Sequence, residues 1–556
     1  MYHYMLKKKS RCLLFFVLLV VSGVSGTGFS LVMSAIIDCA QKGTAELLIT
    51  FLLSVIYVVI NILLQLSCGY MKAAILADAR YSLKNDLFSG IMGKNIVDFE
   101  AANSAEYINE LNNNVNMYES TYYNNIITAL QSLISFAAAS IVTIMVQPLM
   151  LVLMIFLALI TLAVTRMTTG PLEKSMKKFA KSVEGYTAEI KDDFYGFRLV
   201  YSFGVLAGIV AKHEKRNREM EDAKRENTNY RLLCAYTGEF VGLLSTILVM
   251  AAAAWFCMQG MFSAGMVIAF GHLIGHIVSP ITQIPSIAAD FRASKPIRAQ
   301  FEKILVQRKD AGACRLSDLQ DAVELENLSF AYQEDKEILH QLSFRFKSGG
   351  HYAVIGNSGS GKSTILSLLL GYYPGYNGRI CFDGVELRTL ERNCIGELVG
   401  VVFQDTFLFN DTIINNITLY HDHYTLQEIN DAIEQAGLKE LVDSLPEGLS
   451  TIVSENGKNF SGGEKQRFGL ARVLLRKNKV LLFDEFTANL DEGTAKQIEE
   501  HLLSLSECLI ITVTHRLNPE ILRQYDQILV VAHGRIADVG TYDELKATGR
   551  YFRQDS

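Results

Sequence analysis

The sequence predicts two domains of different class: an all-α six-helix transmembrane domain, followed by an α/β domain built on a largely parallel sheet. Three observations predict this. Uncharged apolar runs long enough to span a bilayer recur before residue 290, and basic residues collect in alternate loops between them. Beyond residue 321, short apolar runs alternate with helical segments. A chain of 556 residues is also too long for one core, so two or more domains are expected.

The runs 12–37 and 47–71 contain no Asp, Glu, Lys or Arg. Each is about 25 residues long, enough for a helix to cross ~30 Å of hydrocarbon. The runs 120–165 and 240–289 are about twice as long, with turn chemistry in the middle at "QPLM" (147–150) and "QGMFSAG" (259–265). Each reads as a helical hairpin. Six spans follow, near 12–37, 47–71, 122–146, 149–168, 240–260 and 265–289. "KKKSR" ahead of the first run has the charge of a signal peptide. No clear cleavage site follows it and a second span arrives at once, so the run reads as an uncleaved span.

Loop charges orient the bundle. Lys7, Lys8, Lys9 and Arg11 precede span one, and Lys72, Arg80, Lys84 and Lys94 follow span two. Arg166, Lys174, Lys177, Lys178 and Lys181 follow span four, whereas Lys42 alone marks the opposite loops. The positive-inside rule then puts both chain ends in the cytoplasm, and a bacterial plasma membrane is the expected location. The two inside loops, 72–119 and 166–239, read as helical extensions of the spans. Met176, Phe179, Val183, Thr187, Ile190 and Phe194 recur at helical spacing, while Gly93, Gly196 and Gly204 are expected turning points. The Asn-rich stretch 112–125 reads as a solvated helix face.

Composition excludes several classes. The net charge of -6 comes without a basic cluster, so no nucleic-acid partner is expected. Nine cysteines without a C-x-x-C pair argue for reduced thiols over a disulfide framework or a zinc site.

The boundaries are expected at 1–305 for the transmembrane domain, 306–321 for a polar linker and 322–556 for the α/β domain. There "YAVIG" (352–356), "VGVVF" (399–403), "VLLF" (480–483) and "LIITVT" (509–514) read as strands. "GNSGSGKST" (356–364) follows the first of these and opens a helix, the context that gives a phosphate-binding loop its meaning. The domain is therefore of the α/β P-loop NTPase class. Gly356, Asn357, Ser358, Gly359, Ser360, Gly361, Lys362, Ser363 and Thr364 form the loop. Its backbone N–H groups converge on phosphate oxygens, Lys362 reaches the β- and γ-phosphates, and Ser363 ligates Mg²⁺. Asp484 ends "VLLFD" and can hold the magnesium shell, and Glu485 is placed to act as general base on water. Gln404 and His515 end two further strands and can reach the metal or water and the γ-phosphate. Tyr332 can stack on adenine.

Tyr332, "GNSGSGKST", Gln404, "FSGGEKQR", "VLLFDEFTANLD" and "TVTHR" occur in an order and spacing that resemble the ATP-binding cassette of ABC transporters. Six spans ahead of one cassette resemble an exporter-type half-transporter of that family. The resemblance implies ATP and Mg²⁺ as cofactors, a lipid bilayer around the first domain, and a transported substrate. It also implies a second half-transporter, as a homodimer or a heterodimer. Ser461, Gly462 and Gly463 would cap the γ-phosphate of ATP held by the other cassette, and Asp491 is retained from the family pattern. Two departures stand out: Phe460 and Glu464 flank the Ser-Gly-Gly core, and "ANLD" replaces the usual Ser-Ala-Leu-Asp. A carboxylate at Glu464 is expected to weaken that half-site.

The expected function is ATP-driven export of an amphipathic small molecule, lipid or peptide. Two alternatives stay open: an exporter-like importer of a metal chelate, and an ATP-gated channel or regulator. His272 and His276, at i and i+4 in span six, have the spacing of a metal or haem pair. A polar cavity wall or interhelical hydrogen bond is the favoured reading of the two.

Overall fold

The computed structural model describes residues 2–40, 43–306, 314–333, 336–488 and 490–548. Lys42, Asn489 and the stretch 307–313 of the expected linker lie outside the described residues. The chain divides into two compact units, Met1–Met92 with Asn103–Val306, and Gly93–Ala102 with Gln307–Ser556.

Among the described residues, six helices of the first unit are long and apolar enough to cross a membrane. They are α1 (Lys9–Ala40), α2 (Thr44–Met92), α3 (Ser104–Val146), α4 (Pro148–Tyr195), α6 (Leu206–Met258) and α7 (Ala264–Val306), with the short α5 (Phe197–Phe203) between α4 and α6. At 1.5 Å per residue the 49 residues of α2 run ~74 Å, more than twice the hydrocarbon thickness. Both expected hairpin turns are present. Gln147 leaves helical geometry at φ −158° and Pro148 starts α4, where its missing N–H costs nothing. Gly204 closes α5 with φ 63°, a conformation that favours glycine.

Two readings of the inside loops need correction. The stretch 176–194 is helical, but its contact with α6 is offset from the apolar stripe and is polar. Ser175 bonds Asn227 at 3.3 Å, the Tyr186 ring lies 5.5 Å from the His213 ring, and Glu189 pairs with Arg216 at 3.1 Å. Met176 and Phe194 stay exposed. The Asn-rich stretch is not simply a solvated face either. Two π-turns, Glu110–Asn114 and Glu119–Tyr123, rotate it so that Val115, Tyr118 and Tyr123 are buried, Tyr118 against Phe301. Asp38, at the edge of span one, accepts from Ser263 Oγ (2.6 Å) and Gly265 N (2.9 Å), which ties down the start of α7.

The described residues of the second unit form the strands β1 (Ala322–Ala331), β2 (Glu337–Lys347), β3 (His351–Ile355), β4 (Asn377–Phe382), β5 (Val385–Glu386), β6 (Val399–Val402), β7 (Val480–Asp484), β8 (Leu509–Val513), β9 (Gln527–Ala532) and β10 (Arg535–Gly540). They form an antiparallel sheet in the order β2-β1-β4-β5 and a six-stranded sheet in the order β10-β9-β3-β8-β7-β6. Within the latter, β9, β3, β8, β7 and β6 are parallel. Alternate residues feed different cores. Leu482 and Ile511 share a cluster with Val323 and Phe346 of the antiparallel sheet, whereas Leu481, Phe483 and Ile510 share another with helical residues such as Phe468 and Leu470.

The segment Gly93–Ala102 packs as part of this unit. Asn95 caps its short helix, Ile96–Glu100, by accepting from Asp98 N at 2.7 Å. Arg392 donates to the Lys94 carbonyl at 2.6 Å, and Tyr373 OH reaches Glu100 at 3.5 Å. Gly93, Asn95 and Ile96 share a cavity of about 930 Å³ with Tyr372, Phe403 and Phe407.

Candidate functional site

Four adjacent parallel strands deliver the chemistry. In the order β3-β8-β7-β6, their carboxyl ends lead into the glycine loop, His515, Asp484 with Glu485, and Gln404. The crevice beyond such strand ends is where an open α/β sheet binds ligands.

The glycine loop runs from Gly356 to Gly361, and α8 (Lys362–Leu369) opens directly after it. Gly356 has φ 156° and Gly361 φ 104°, and a Cβ on either would collide, with the Val531 carbonyl and with Leu339 respectively. Backbone amides of the loop and of the first turn of α8 can therefore converge on one anion. The Lys362 ammonium donates to the carbonyls of Gly356 (2.8 Å) and Asn357 (3.0 Å), and burial lowers its pKa. Ser360 Oγ is buried without a hydrogen-bond partner among the described residues, as befits a donor that a phosphate oxygen completes.

Ser363 Oγ donates to Asp484 Oδ1 at 3.1 Å. Burial raises the Asp484 carboxyl above its usual range; the Ser363 bond opposes this, and the charge of Glu485 adds to it. His515 Nε2 lies 2.9 Å from Glu485 Oε1. Glu485 itself sits at φ 47°, left-handed backbone that a side chain adopts at a cost. Tyr332 OH is 3.3 Å from Thr364 Oγ1, and the Tyr332 ring stands edge-on to Tyr373 at 5.1 Å. Its 49% exposure leaves a face for a base to stack on.

The remaining residues singled out in the sequence lie elsewhere. Ser461 is the N-cap of α9 (Gly462–Arg476), with Gly462 and Gly463 in its first turn. No hydrogen bond among the described residues joins these three to the glycine loop. Asp491 caps α10 (Glu492–Leu503) by accepting from Thr494 N at 2.9 Å, and this bond holds its carboxyl below the usual range. Gln404 has an exposed side chain, and its carbonyl accepts from Gln466 Nε2 at 3.0 Å.

Gln466 and Arg472 were missed by sequence reasoning. Arg472, which burial lowers to about 10, donates to Asn416 O (2.7 Å) and Phe407 O (2.8 Å). Together with Gln466 it ties α9 to the segment after Gln404. Polar residues inside an amphipathic helix read as solvated, so only their burial reveals them.

Comparisons with known proteins agree with this layout. The family model "ABC transporter transmembrane region" matches residues 12–281, and the model "ABC transporter" matches residues 339–488. An ATP-dependent lipid A-core flippase of Pasteurella multocida is 31% identical over 390 residues, covering 68% of this chain. The chain spans 66% of that relative's length, just under two thirds. The same-named protein of Haemophilus influenzae is 26% identical over 560 residues, 96% of this chain and 94% of its own. A solved structure of a bacterial Atm1-family ABC exporter with ATP bound superimposes with a TM-score of 0.84 at 24% identity, covering 99% of this chain and 98% of its own. At that identity the likeness establishes the fold.

Proposed function

The chain belongs to the ABC transporter family, and from that premise we propose that it is one half of a two-chain exporter. ATP hydrolysis would drive an amphipathic small molecule, lipid or peptide across the membrane. The chain is a multi-pass membrane protein. Cytoplasmic ends and a bacterial plasma membrane are part of the proposal.

One observation carries it. The glycine loop, Asp484, Glu485, His515 and Gln404 gather at one sheet edge, while among the described residues the Ser461 helix start makes no hydrogen bond to that loop. A second anion-binding helix start set apart from the first suits a nucleotide held by a second chain. Two chains then enclose two ATP molecules, each between one glycine loop and the other chain's Ser461, Gly462 and Gly463.

The donor set fits Mg²⁺. Ser363 Oγ and the Asp484 carboxylate are hard oxygen ligands 3.1 Å apart, and the exposed Gln404 amide lies beyond the neighbouring strand. Bound there, the ion would neutralise triphosphate charge.

In this reading Lys362 balances charge on the β- and γ-phosphates, and Tyr332 stacks on the base. Glu485 takes the proton from the attacking water as the water oxygen bonds to the γ-phosphorus and the bridging P–O bond breaks. His515, whose Nε2 lies 2.9 Å from Glu485 Oε1, holds Glu485 in place for that transfer. The intact Glu485–His515 pair favours turnover over ATP-gated conduction. Closure on ATP and release after hydrolysis would switch the spans between two states, because ATP binds one of them better. Exposed aromatic residues at the tip of the first unit, Phe194, Tyr201 and Phe203, suit a surface that the second chain covers.

The test uses the purified transporter in lipid vesicles. Glu485→Gln should bind ATP normally yet lose at least ~100-fold in steady hydrolysis. Ion current that persists in this variant would favour the channel, and full-rate hydrolysis by dilute monomers would end the two-chain scheme.

A further inference from the structure

Helix α7 carries His272, His276, Ser279, Gln283, Ser286 and Asp290 at alternating steps of four and three residues. That spacing aligns all six on one face. The helix is otherwise apolar enough to span a membrane, so this polar face does not fit against lipid. Its lower part is tied to α3, Ser132 Oγ to Gln283 Oε1 at 3.4 Å and Asn125 Nδ2 to Asp290 Oδ2 at 2.9 Å. His272 is different, because its side chain remains exposed in the single chain.

Its orientation is set from α1. Ser30 Oγ lies 2.9 Å from His272 Nδ1, and the Phe29 ring stands 5.6 Å from the imidazole in an edge arrangement. Ser30 is fully buried and has no other hydrogen-bond partner among the described residues. Were Oγ to accept from Nδ1, its own hydrogen would be stranded without an acceptor, which is costly in a buried setting. The hydroxyl hydrogen is therefore assigned to Nδ1, which puts the ring hydrogen on Nε2. His272 thus presents an N–H donor on its open side, and His276 follows one turn later at 5.4 Å between ring centroids. A bare metal ion suits this arrangement poorly. It would need the Nε2 lone pair that this tautomer lacks, and no group of three candidate ligands occurs among the described residues.

We propose that His272 and His276 form a recognition site for the oxyanion head group, a carboxylate or phosphate, of an amphipathic cargo, with Ser30 as its positioning residue. The proposal rests on the exporter reading and narrows its substrate class.

The experiment measures ATP hydrolysis by the full-length transporter in nanodiscs. It compares dodecyl phosphate with dodecyltrimethylammonium, which differ in head-group charge and share a tail. Wild type should respond to the phosphate and not to the ammonium. The half-maximal concentration should rise tenfold or more in His272→Leu and in His272→Leu/His276→Leu. It should stay within threefold in His272→Gln, whose amide keeps a donor near the Nε2 position. Basal hydrolysis should be unchanged in each variant, which confirms folding and separates this test from that of the ATPase reading. Equal responses to the two amphiphiles overturn the proposal, as do no response of wild type to dodecyl phosphate and an unchanged half-maximal concentration in the double variant. Tight zinc binding that the double variant loses would also overturn it and assign the pair to a metal.

Discussion

Glu464 accepts hydrogen bonds from both the amide and the hydroxyl of Ser461, at 2.7 and 2.8 Å, while Ser461 Oγ caps Glu464 N at 3.3 Å. This is a capping box, which satisfies two backbone donors at the start of α9 within one turn. The carboxylate therefore organises the helix start, and it also engages the hydroxyl that a γ-phosphate would use. Glu464→Gln keeps a carbonyl acceptor and removes the charge. It should leave thermal stability unchanged and tighten ATP-driven association of the two chains by several-fold, read by crosslinking against ATP concentration. Glu464→Ala should lose about 1 kcal/mol of stability with the cap. Weaker association in Glu464→Gln would show that the charge assists the closed state.

The backbone at Glu485 predicts a separation of stability from activity. Its φ of 47° penalises any side chain but not glycine. Glu485→Ala and Glu485→Gly should both be inactive. Glycine should be the more stable by about 1 kcal/mol, a rise of roughly 2–4 °C in the unfolding midpoint of the nucleotide domain. Equal or lower stability of the glycine variant in calorimetry would mean that neighbouring contacts, not a strained torsion, fix this turn.

Much of this was legible in the sequence because it depends on local rules. Strands β3, β6, β7 and β8 are short apolar runs, and Gly356, Gln404, Glu485 and His515, one or two residues beyond their ends, are recognisable without tertiary information. The six spans follow from uncharged length alone, and "SGGE" fits the capping-box pattern. The polar seam between α4 and α6 was hidden, since Ser175 and Glu189 look like solvent-facing residues beside an apolar stripe. The π-turns at 110–114 and 119–123 were hidden for a different reason. One extra residue per turn shifts which face is buried, and no composition signal announces it. Arg472 and Gln466 act through burial, which depends on the whole fold.

Asp484 predicts a pH dependence. Its folded-state pKa is raised, chiefly by burial, so between the ordinary carboxyl range and that raised value the folded chain holds more proton than the unfolded chain. The associated stability is present in acid and is lost as pH rises through the folded value. Binding of Mg²⁺ and ATP has the opposite sign, because it needs the ionised carboxylate. Affinity for ATP with Mg²⁺ should therefore weaken from about pH 8 to about pH 5 in wild type. Without Mg²⁺, or in Asp484→Asn, the slope should be shallower. Equal slopes in fluorescent-nucleotide titrations of both proteins would remove Asp484 from the metal shell.

Arg472 predicts a link between α9 and the segment after Gln404. Its side chain is half-buried, and burial lowers its pKa only to about 10, so it stays charged at neutral pH. It bonds Asn416 O, Phe407 O and Asn416 Oδ1 at 2.7, 2.8 and 3.2 Å. Asn416, itself fully buried, uses its amide to hold the Phe409 carbonyl at 2.9 Å and accepts from Phe409 N at 2.8 Å, so Arg472 and Asn416 hold the loop together. Arg472→Met fills similar space but strands those acceptors, and should cost about 3 kcal/mol or more. Arg472→Lys keeps the charge without the planar fork, and should recover less than half of the loss. Because the same helix carries the Ser461 cap, ATP-driven association should weaken in parallel with stability across both variants. A variant that loses stability while associating normally would show that Arg472 supports the fold alone and transmits nothing to the interface.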